Sequence, residues 1–397
     1  MELNTIEVRE KLLKDFSNLI SKQSFPHAIL LNSSQSDDLL NIALIIAQAL
    51  LCEKNNQYKQ NQNSVSLFGG GEASLPKESK LPCGQCDSCL KVKKSIHLDL
   101  HFLFPTFTIG SSPKIDKKNL SSLWRGFLET NTFLSLVSFS DYLNSEGKNP
   151  HIPVERIEEF IKINQFKSYE GICKVSIIWL PEYLGHNANK ILKLIEEPPP
   201  KSYFIFVTEE KDLILKTLLS RLRIFEIPAL ENEWIEKLFE DTTLNLSEFE
   251  KIIFTHISQK SVLKGSHFLK MLESDIFNFT FEWIASFYKN KFSALDKSVK
   301  AIQSLKKNQQ VLMLEILNDL FEYFYVYDKN SKTEEPLLFN LLQQIAKELS
   351  YEQYIEIQNQ IQKTTYYLKR NANTSIVFYS LGLKISTIVN QNYILTI

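Results

Sequence analysis

Five of the 397 residues are cysteines, and three of them fall as Cys83-x-x-Cys86-x-x-Cys89 with Cys52 upstream. Four thiolates in this pattern are enough for a closed tetrahedral zinc site. Such a site keeps no open position for water, so its expected role is structural rather than catalytic. Reduced cysteines on a loop and an iron–sulfur cluster are the alternatives, and nothing else in the chain points to redox work. Cys173, at the head of an apolar run, reads as a small buried hydrophobe. Tight clustering favours metal chemistry in a reducing compartment over a disulfide framework. No apolar run reaches membrane-spanning length and the N-terminal MELNTIEVREKLLKDF has no signal-like hydrophobic region, so the chain reads as cytoplasmic.

A second candidate site is the loop from Ser33 to Asp38, between a short apolar run, Ala28 to Leu31, and an apolar helix, Leu39 to Leu51. A nucleotide-binding protein would carry GxxxxGK[ST] there, because glycines let backbone N–H groups curl around phosphates and a lysine neutralises them. This loop has no glycine and no lysine, and Asp37 and Asp38 would repel a triphosphate. ATP binding is therefore not expected. Lys91, Lys93 and Lys94 after the cysteines are either a solvated face or a phosphate-contacting patch. The net charge of −1 excludes a global basic field for nucleic acid. His97 and His101, flanking Asp99, read as structural. Glu196 and Glu197 could pass for paired catalytic carboxylates, but they close a helix before three prolines with no companion site, which favours a structural role.

The elements that position these residues alternate between two periods. Val175–Trp179 is a β-branched apolar run; Leu184, Ala188, Ile191, Leu192 and Ile195 then form one helical stripe, stopped by Pro198–Pro200. Tyr203–Val207 is a further strand, after which Asp212 is expected to cap a helix carrying Leu215, Leu218, Leu219 and Leu222. With 28–31, 101–104 and 224–227, five strands are predicted, consistent with a parallel sheet with intervening helices. Helices are also expected at the N-terminus (Val8, Leu12, Phe16, Leu19, Ile20) and over 153–165 (Val154, Ile157, Phe160, Ile161). The polar segment Glu53–Pro82 reads as a mobile insertion and 106–150 as a surface excursion with some helix. Beyond Pro228 only helical patterns occur: 234–239, 249–257, 277–288, 311–325, 337–349, 354–368 and 375–388. The fold class is α/β plus all-α, divided into 1–227 with the cysteine insertion at 52–89, a small helical domain at 228–274 and a helical domain at 275–397.

The chain resembles the clamp-loader subunits of the AAA+ family. Phe25-Pro26-His27-Ala28-Ile29-Leu30-Leu31 matches their approach to the first strand, and the four cysteines match their zinc module, with a longer gap after Cys52. Ala188 to Pro199 is similar to the family's ANALLKTLEEPP segment, Ser220-Arg221-Leu222 stands where the family has Ser-Arg-Cys, and Asn371-Ala372-Asn373 precedes a last helix. The resemblance implies a five-stranded AAA+ domain, a helical lid and a collar that joins other subunits. Where active members end the third strand in Asp-Glu, for Mg²⁺ and the attacking water, this chain has Trp179 and Leu180; Glu182 further along is expected to cap or face solvent. Leu263 stands near the sensor arginine of ATP-binding relatives. The resemblance thus implies a member that does not hydrolyse ATP by itself. Arg221, beside Ser220, would be an arginine finger for a neighbouring ATPase subunit, the alternative being a surface ion pair. Implied partners are gamma/tau-type ATPase subunits, a delta subunit, the sliding clamp and primer–template DNA. An ATPase with unusual motifs and a zinc-bearing nucleic-acid-binding protein are the other readings.

Overall fold

The computed structural model describes residues 10–33, 38–54, 82–107, 117–130, 134–143, 145, 148–228, 246–260, 262–272, 274–288, 292–327, 337–370 and 372–394. It divides into two compact units, one of residues 1–143 and 150–230, the other of 144–149 and 231–397.

In the first unit, α1 (Glu10–Ser21) buries Leu13, Phe16 and Ile20, and Phe16 meets Phe225 edge-on at 5.1 Å. Leu12 and Leu19 of the expected stripe are half-buried, and Val8 lies outside the described residues. All five residues of β1 (Ala28–Asn32) are buried, and α2 (Leu39–Leu51) is buried almost all round. Then come α3 (Asp87–Lys93), β2 (Leu100–Leu103), the short β3 (Thr106–Phe107), α4 (Lys117–Thr130), α5 (Leu136–Tyr142), the short β4 (Pro150–His151) and α6 (Val154–Gln165). The unit closes with β5 (Lys174–Trp179), α7 (Asn189–Glu196), β6 (Ser202–Thr208), α8 (Lys216–Leu219) and β7 (Arg223–Glu226).

The five predicted strands form one sheet in the order β2-β5-β6-β1-β7, every pairing parallel, with Leu30 opposite both Phe206 and Ile224. Side chains alternate across it. Ile29, Leu31, Val175, Ile177, Ile205 and Val207 share a core with α1 and α2, whereas Leu30, Ile178, Phe204 and Phe206 pack with Ile157 of α6, Ile191 of α7 and Leu218 of α8. Both faces are covered, which is why these strands read as continuous apolar runs.

Three expectations need correction. The single helix expected over 184–195 is a 3₁₀ segment, Pro181–Ala188, followed by α7, broken at Gly185, whose φ of 53° and ψ of −139° favour glycine. The stripe survives the break, with Leu184, Ala188, Ile191 and Ile195 all buried. Asp212 does not cap a helix: it lies in a 3₁₀ turn, Lys211–Leu213, and α8 is a single turn with Leu215 at its N-cap and no side-chain cap.

The third correction concerns 106–150. Its described helices α4 and α5 carry Trp124, Phe127 and Phe139 into the core, at most 2% exposed. Trp124 stacks on Phe104 at 3.9 Å and lies 5.3 Å from both Phe139 and Trp179. Few apolar residues among many serines and lysines hid a core element, because each is a large aromatic that buries what several aliphatics would.

The described part of the second unit is wholly helical: α9 (Glu248–Lys260), α10 (Val262–Leu272), α11 (Asp275–Tyr288), α12 (Phe292–Ser304), α13 (Lys307–Val326), α14 (Leu337–Glu348), α15 (Tyr351–Lys369) and α16 (Thr374–Ile394). Trp283 packs edge-on against Phe287 and Phe378 at 5.0 and 5.5 Å. Ser350 and Gln353 start α15 with a reciprocal capping box. The spacing reading passes over α12, which is anchored by Leu295, Val299 and Ile302 amid polar residues. The helix expected at 234–239 lies outside the described residues.

Trp124→Ala removes the centre of the aromatic cluster and is expected to cost about 3–5 kcal/mol, read as a lower urea midpoint by circular dichroism.

Candidate functional site

The four cysteine sulfurs converge from two elements. Cys52 ends α2 and Cys86 is the N-cap of α3, its sulfur accepting the Cys89 N–H at 3.4 Å. Gly84, at a φ of 71°, turns the chain between Cys83 and Cys86. All four Sγ atoms lie within 4.8 Å of one another, and those of Cys83 and Cys89 are 3.9 Å apart. A tetrahedron of thiolates about 2.3 Å from a zinc ion has edges of about 3.8 Å, so the donor set fits such an ion. Gln48 Nε2 donates to the Cys89 carbonyl at 2.8 Å and Glu53 accepts from the Ser88 N–H at 3.1 Å, tying the ends of α2 and α3 around the sulfurs. The thiols share protons: a hydrogen bond from Cys89 pulls Cys52 down to about 5, and the same contact with burial pushes Cys89 up. Sulfurs sharing protons in this way suit displacement of those protons by a cation. Cys173 stands apart, 2% exposed, with its thiol on the Leu50 carbonyl at 3.4 Å.

At the carboxyl ends of the strands, where open α/β sheets bind ligands, the loop that stands in the place of a phosphate loop, and is not expected to bind ATP, is described only at Ser33 and Asp38; residues 34–37 lie outside the described residues. Around it Leu39, Leu40, Leu134, Trp179, Leu180, Val207, Thr208 and Glu209 close together with no water-sized space between them. Leu180 has a φ of 55°, unusual for a residue with a side chain, and its N–H is held by the Val207 carbonyl at 2.8 Å. An open cleft of about 510 Å³ lies alongside, lined by four carboxylates, Glu209, Glu210, Asp212 and Glu226. Its one lysine, Lys211, is paired with Glu226 at 2.5 Å. An anion meets repulsion there. Glu182 neither caps nor faces solvent, correcting the expectation: it is half-buried, accepts the Thr208 hydroxyl at 2.9 Å, and burial raises its pKa to about 7.

Arg221 follows α8 on its exposed flank, 34% exposed at the side chain. Its Nε donates to Glu196 Oε1 at 2.6 Å, Nη2 pairs with the same oxygen, and Nη1 donates to the Thr217 carbonyl at 2.5 Å. The Ser220 hydroxyl donates to that carbonyl at 3.1 Å. Within this chain, then, Arg221 stands in the surface ion pair given above as the alternative. Glu197 contributes its backbone N–H to the Lys193 carbonyl at the end of α7. Leu263 lies in α10, and its side chain is outside the described residues.

Sequence reasoning missed the buried charges. Asp99, 1% exposed, accepts the N–H groups of Tyr169, Glu170 and Gly171 at 2.6, 2.9 and 2.6 Å. Lys174, 4% exposed, donates to the carbonyls of Ile163 and Phe166 at 2.8 and 2.6 Å. The histidines flanking Asp99 gave the one available hint, since His97 Nδ1 accepts the Asp99 N–H while Nε2 bonds Ser88.

The family model described as DNA polymerase III, delta subunit, matches residues 72–231. The DNA polymerase III subunit delta' of Bacillus subtilis is 23% identical over 234 residues, 58% of this chain and 50% of that protein. That of Buchnera aphidicola subsp. Baizongia pistaciae is 23% identical over 274 residues, 67% of this chain and 63% of its own. The chain thus spans about half to three-fifths of the curated relatives it matches. A DNA polymerase III gamma subunit-related protein from Thermotoga maritima, of solved structure, aligns over 95% of this chain and 99% of its own at 13% identity and a TM-score of 0.38. The family model and the curated relatives agree on the class that this chain resembles: DNA polymerase III clamp-loader subunits. Within that class its likeness is to the delta-prime subunit, the name that both the Bacillus and the Buchnera relative carry.

Glu182 makes stability pH-dependent. With its folded pKa raised above the unfolded value of 4.5 to about 7, its contribution is complete below pH 4.5 and lost as the pH climbs through 7. Glu182→Gln does not titrate, so its stability relative to the parent chain is expected to rise by about 2–3 kcal/mol between pH 5 and pH 8, measured by urea unfolding at both.

Proposed function

We propose that this chain is a non-catalytic stator subunit of a replicative clamp loader, which helps place the sliding clamp on primed DNA in the cytoplasm and lends Arg221 to the ATP site of a neighbouring subunit. In this reading residues 1–227 form the AAA+ domain, 228–274 the lid and 275–397 the collar that joins gamma/tau-type and delta subunits. The observation that carries it is the filled crevice at the strand ends. Trp179 and Leu180, which can neither ligate Mg²⁺ nor handle a proton, pack there with Leu39, Leu40 and Leu134, and the adjoining cleft is lined by carboxylates. No described helix is long and apolar enough to cross a membrane.

Arg221 suits a role in trans because its hold is slight. An exposed ion pair such as that with Glu196 is worth about 0–1 kcal/mol, so a phosphate of a neighbour's ATP competes well for the guanidinium, which binds phosphate in a fork. Ser220 flanks Arg221 in the motif. Cys52, Cys83, Cys86 and Cys89 hold zinc, which joins α2 to α3 and takes no part in chemistry.

Two measurements test this. In an assembly reconstituted with its ATPase and delta subunits, Arg221→Ala is expected to slow hydrolysis by about 10³-fold or more at the one site it enters, read as loss of that site's share of the total rate with co-elution unchanged; an unaltered rate refutes the finger. The isolated chain is expected to show no binding of a fluorescent ATP analogue with Mg²⁺, and saturable binding refutes the stator reading. For the metal, the purified chain should contain one equivalent of zinc, reduced in Cys89→Ser together with its thermal midpoint.

A further inference from the structure

The loop after α6 displays two large aromatics that no core uses: Phe166 is 71% exposed and Tyr169 83%. Exposed loops with such side chains are ordinarily loose, but this one is held from beneath by buried charges of both signs. The Asp99 carboxylate takes three successive N–H groups of residues 169–171, and the Lys174 ammonium takes the carbonyls of Ile163 and Phe166. Gly171 permits this closeness, since a Cβ there would come within 3.2 Å of Asp99 Oδ2 and 3.1 Å of the Cys173 carbonyl. Burying a carboxylate and an ammonium is costly unless each is fully bonded, and here their bonds go into fixing a surface loop rather than the core.

The loop continues into a larger apolar surface. Glu170 accepts the Leu98 N–H at 3.1 Å and bonds Lys91 at 2.7 Å, setting the loop against the turn after α3, where Ile96 and Leu98 are 46% and 54% exposed. Lys91 is occupied by Asp87 and Glu170. Lys93, Lys94 and Lys167 are exposed, and among the described residues they have no ion-pair partner. The result is a pre-ordered apolar surface beside unpaired cations, at the amino ends of the strands and away from the crevice.

We infer that this surface docks an acidic peptide segment of a partner protein, its aromatic or aliphatic side chains lying on Phe166, Tyr169 and Leu98 and its carboxylates meeting Lys93, Lys94 and Lys167. Cations without partners beside apolar groups call for an anionic ligand that also has apolar surface to bury. A base could stack on Phe166 or Tyr169, but Ile96 and Leu98 offer no ring face, and Glu170 and Asp87 stand among the lysines where a phosphate backbone would run, which favours the peptide. Pre-ordering favours the peptide, because the loop loses little freedom on binding.

A displayed library of random peptides, selected on the full metal-loaded chain with the Phe166→Ser/Tyr169→Ser variant as counter-selection, tests the inference. Peptides combining Asp or Glu with aromatic or aliphatic residues are expected to be enriched. The best of these should lose about tenfold or more in affinity against that variant and against Lys93→Glu/Lys94→Glu, and weaken as salt is raised. Circular dichroism and zinc content are checked for each variant. Enrichment absent or indifferent to acidic residues, equal binding to the variants, or tighter binding of an oligothymidine at the same salt overturns it. Arg221 and the crevice are untouched by these variants, so failure here leaves the stator reading standing.

Discussion

The packing of Trp124 between Phe104, Phe139 and Trp179 decides what the first unit can be. A parallel sheet covered on both faces has its natural crevice at the carboxyl ends of its strands. In this chain β5 ends there in an indole, and the helices after β3 close over it with further rings. On the face shared with α1 and α2 this end could not be opened without unstacking aromatics that also hold α4 and α5 in place. The aromatic filling at this end of β5 is thus part of the core itself rather than a matter of one or two side chains.

Much of this was legible. The five strands read from their β-branched apolar runs, because a doubly covered strand needs no alternation and tolerates little else. The cysteine cluster read from spacing alone. What failed did so for local reasons. The break at Gly185 left the periodicity of the buried residues intact, so a stripe of apolar residues concealed two helices. Asp212 has the composition of a cap, but it lies inside a 3₁₀ turn, and the helix that follows starts only after Leu215. The region 106–150 was misread because hydrophobic counting gives one tryptophan the weight of one alanine, whereas packing does not.

Buried charges were the least legible of all. Asp99, Lys174 and Glu182 sit in segments whose neighbours are ordinary, and their roles depend on groups about 8–70 residues away, backbone ones for Asp99 and Lys174 and a hydroxyl for Glu182. Asp99 and Lys174 are satisfied by main-chain partners, which a list of side-chain types cannot reveal. Glu182, by contrast, has its own backbone N–H and the Thr208 hydroxyl against its burial, which still outweighs them and raises its pKa to about 7. Arg221 lies at the other extreme, on the surface and paired with Glu196.

The convergence of Cys52 with Cys83 has an architectural consequence. The two sulfurs meet although thirty residues separate them in the chain, so the intervening stretch leaves and returns at one knot. Lengthening a loop pinned at its base costs only about 0.6 kcal/mol per doubling. Such a knot fixes the end of α2 against the start of α3 independently of how many residues separate the two cysteines, so the register of the sheet does not depend on that number.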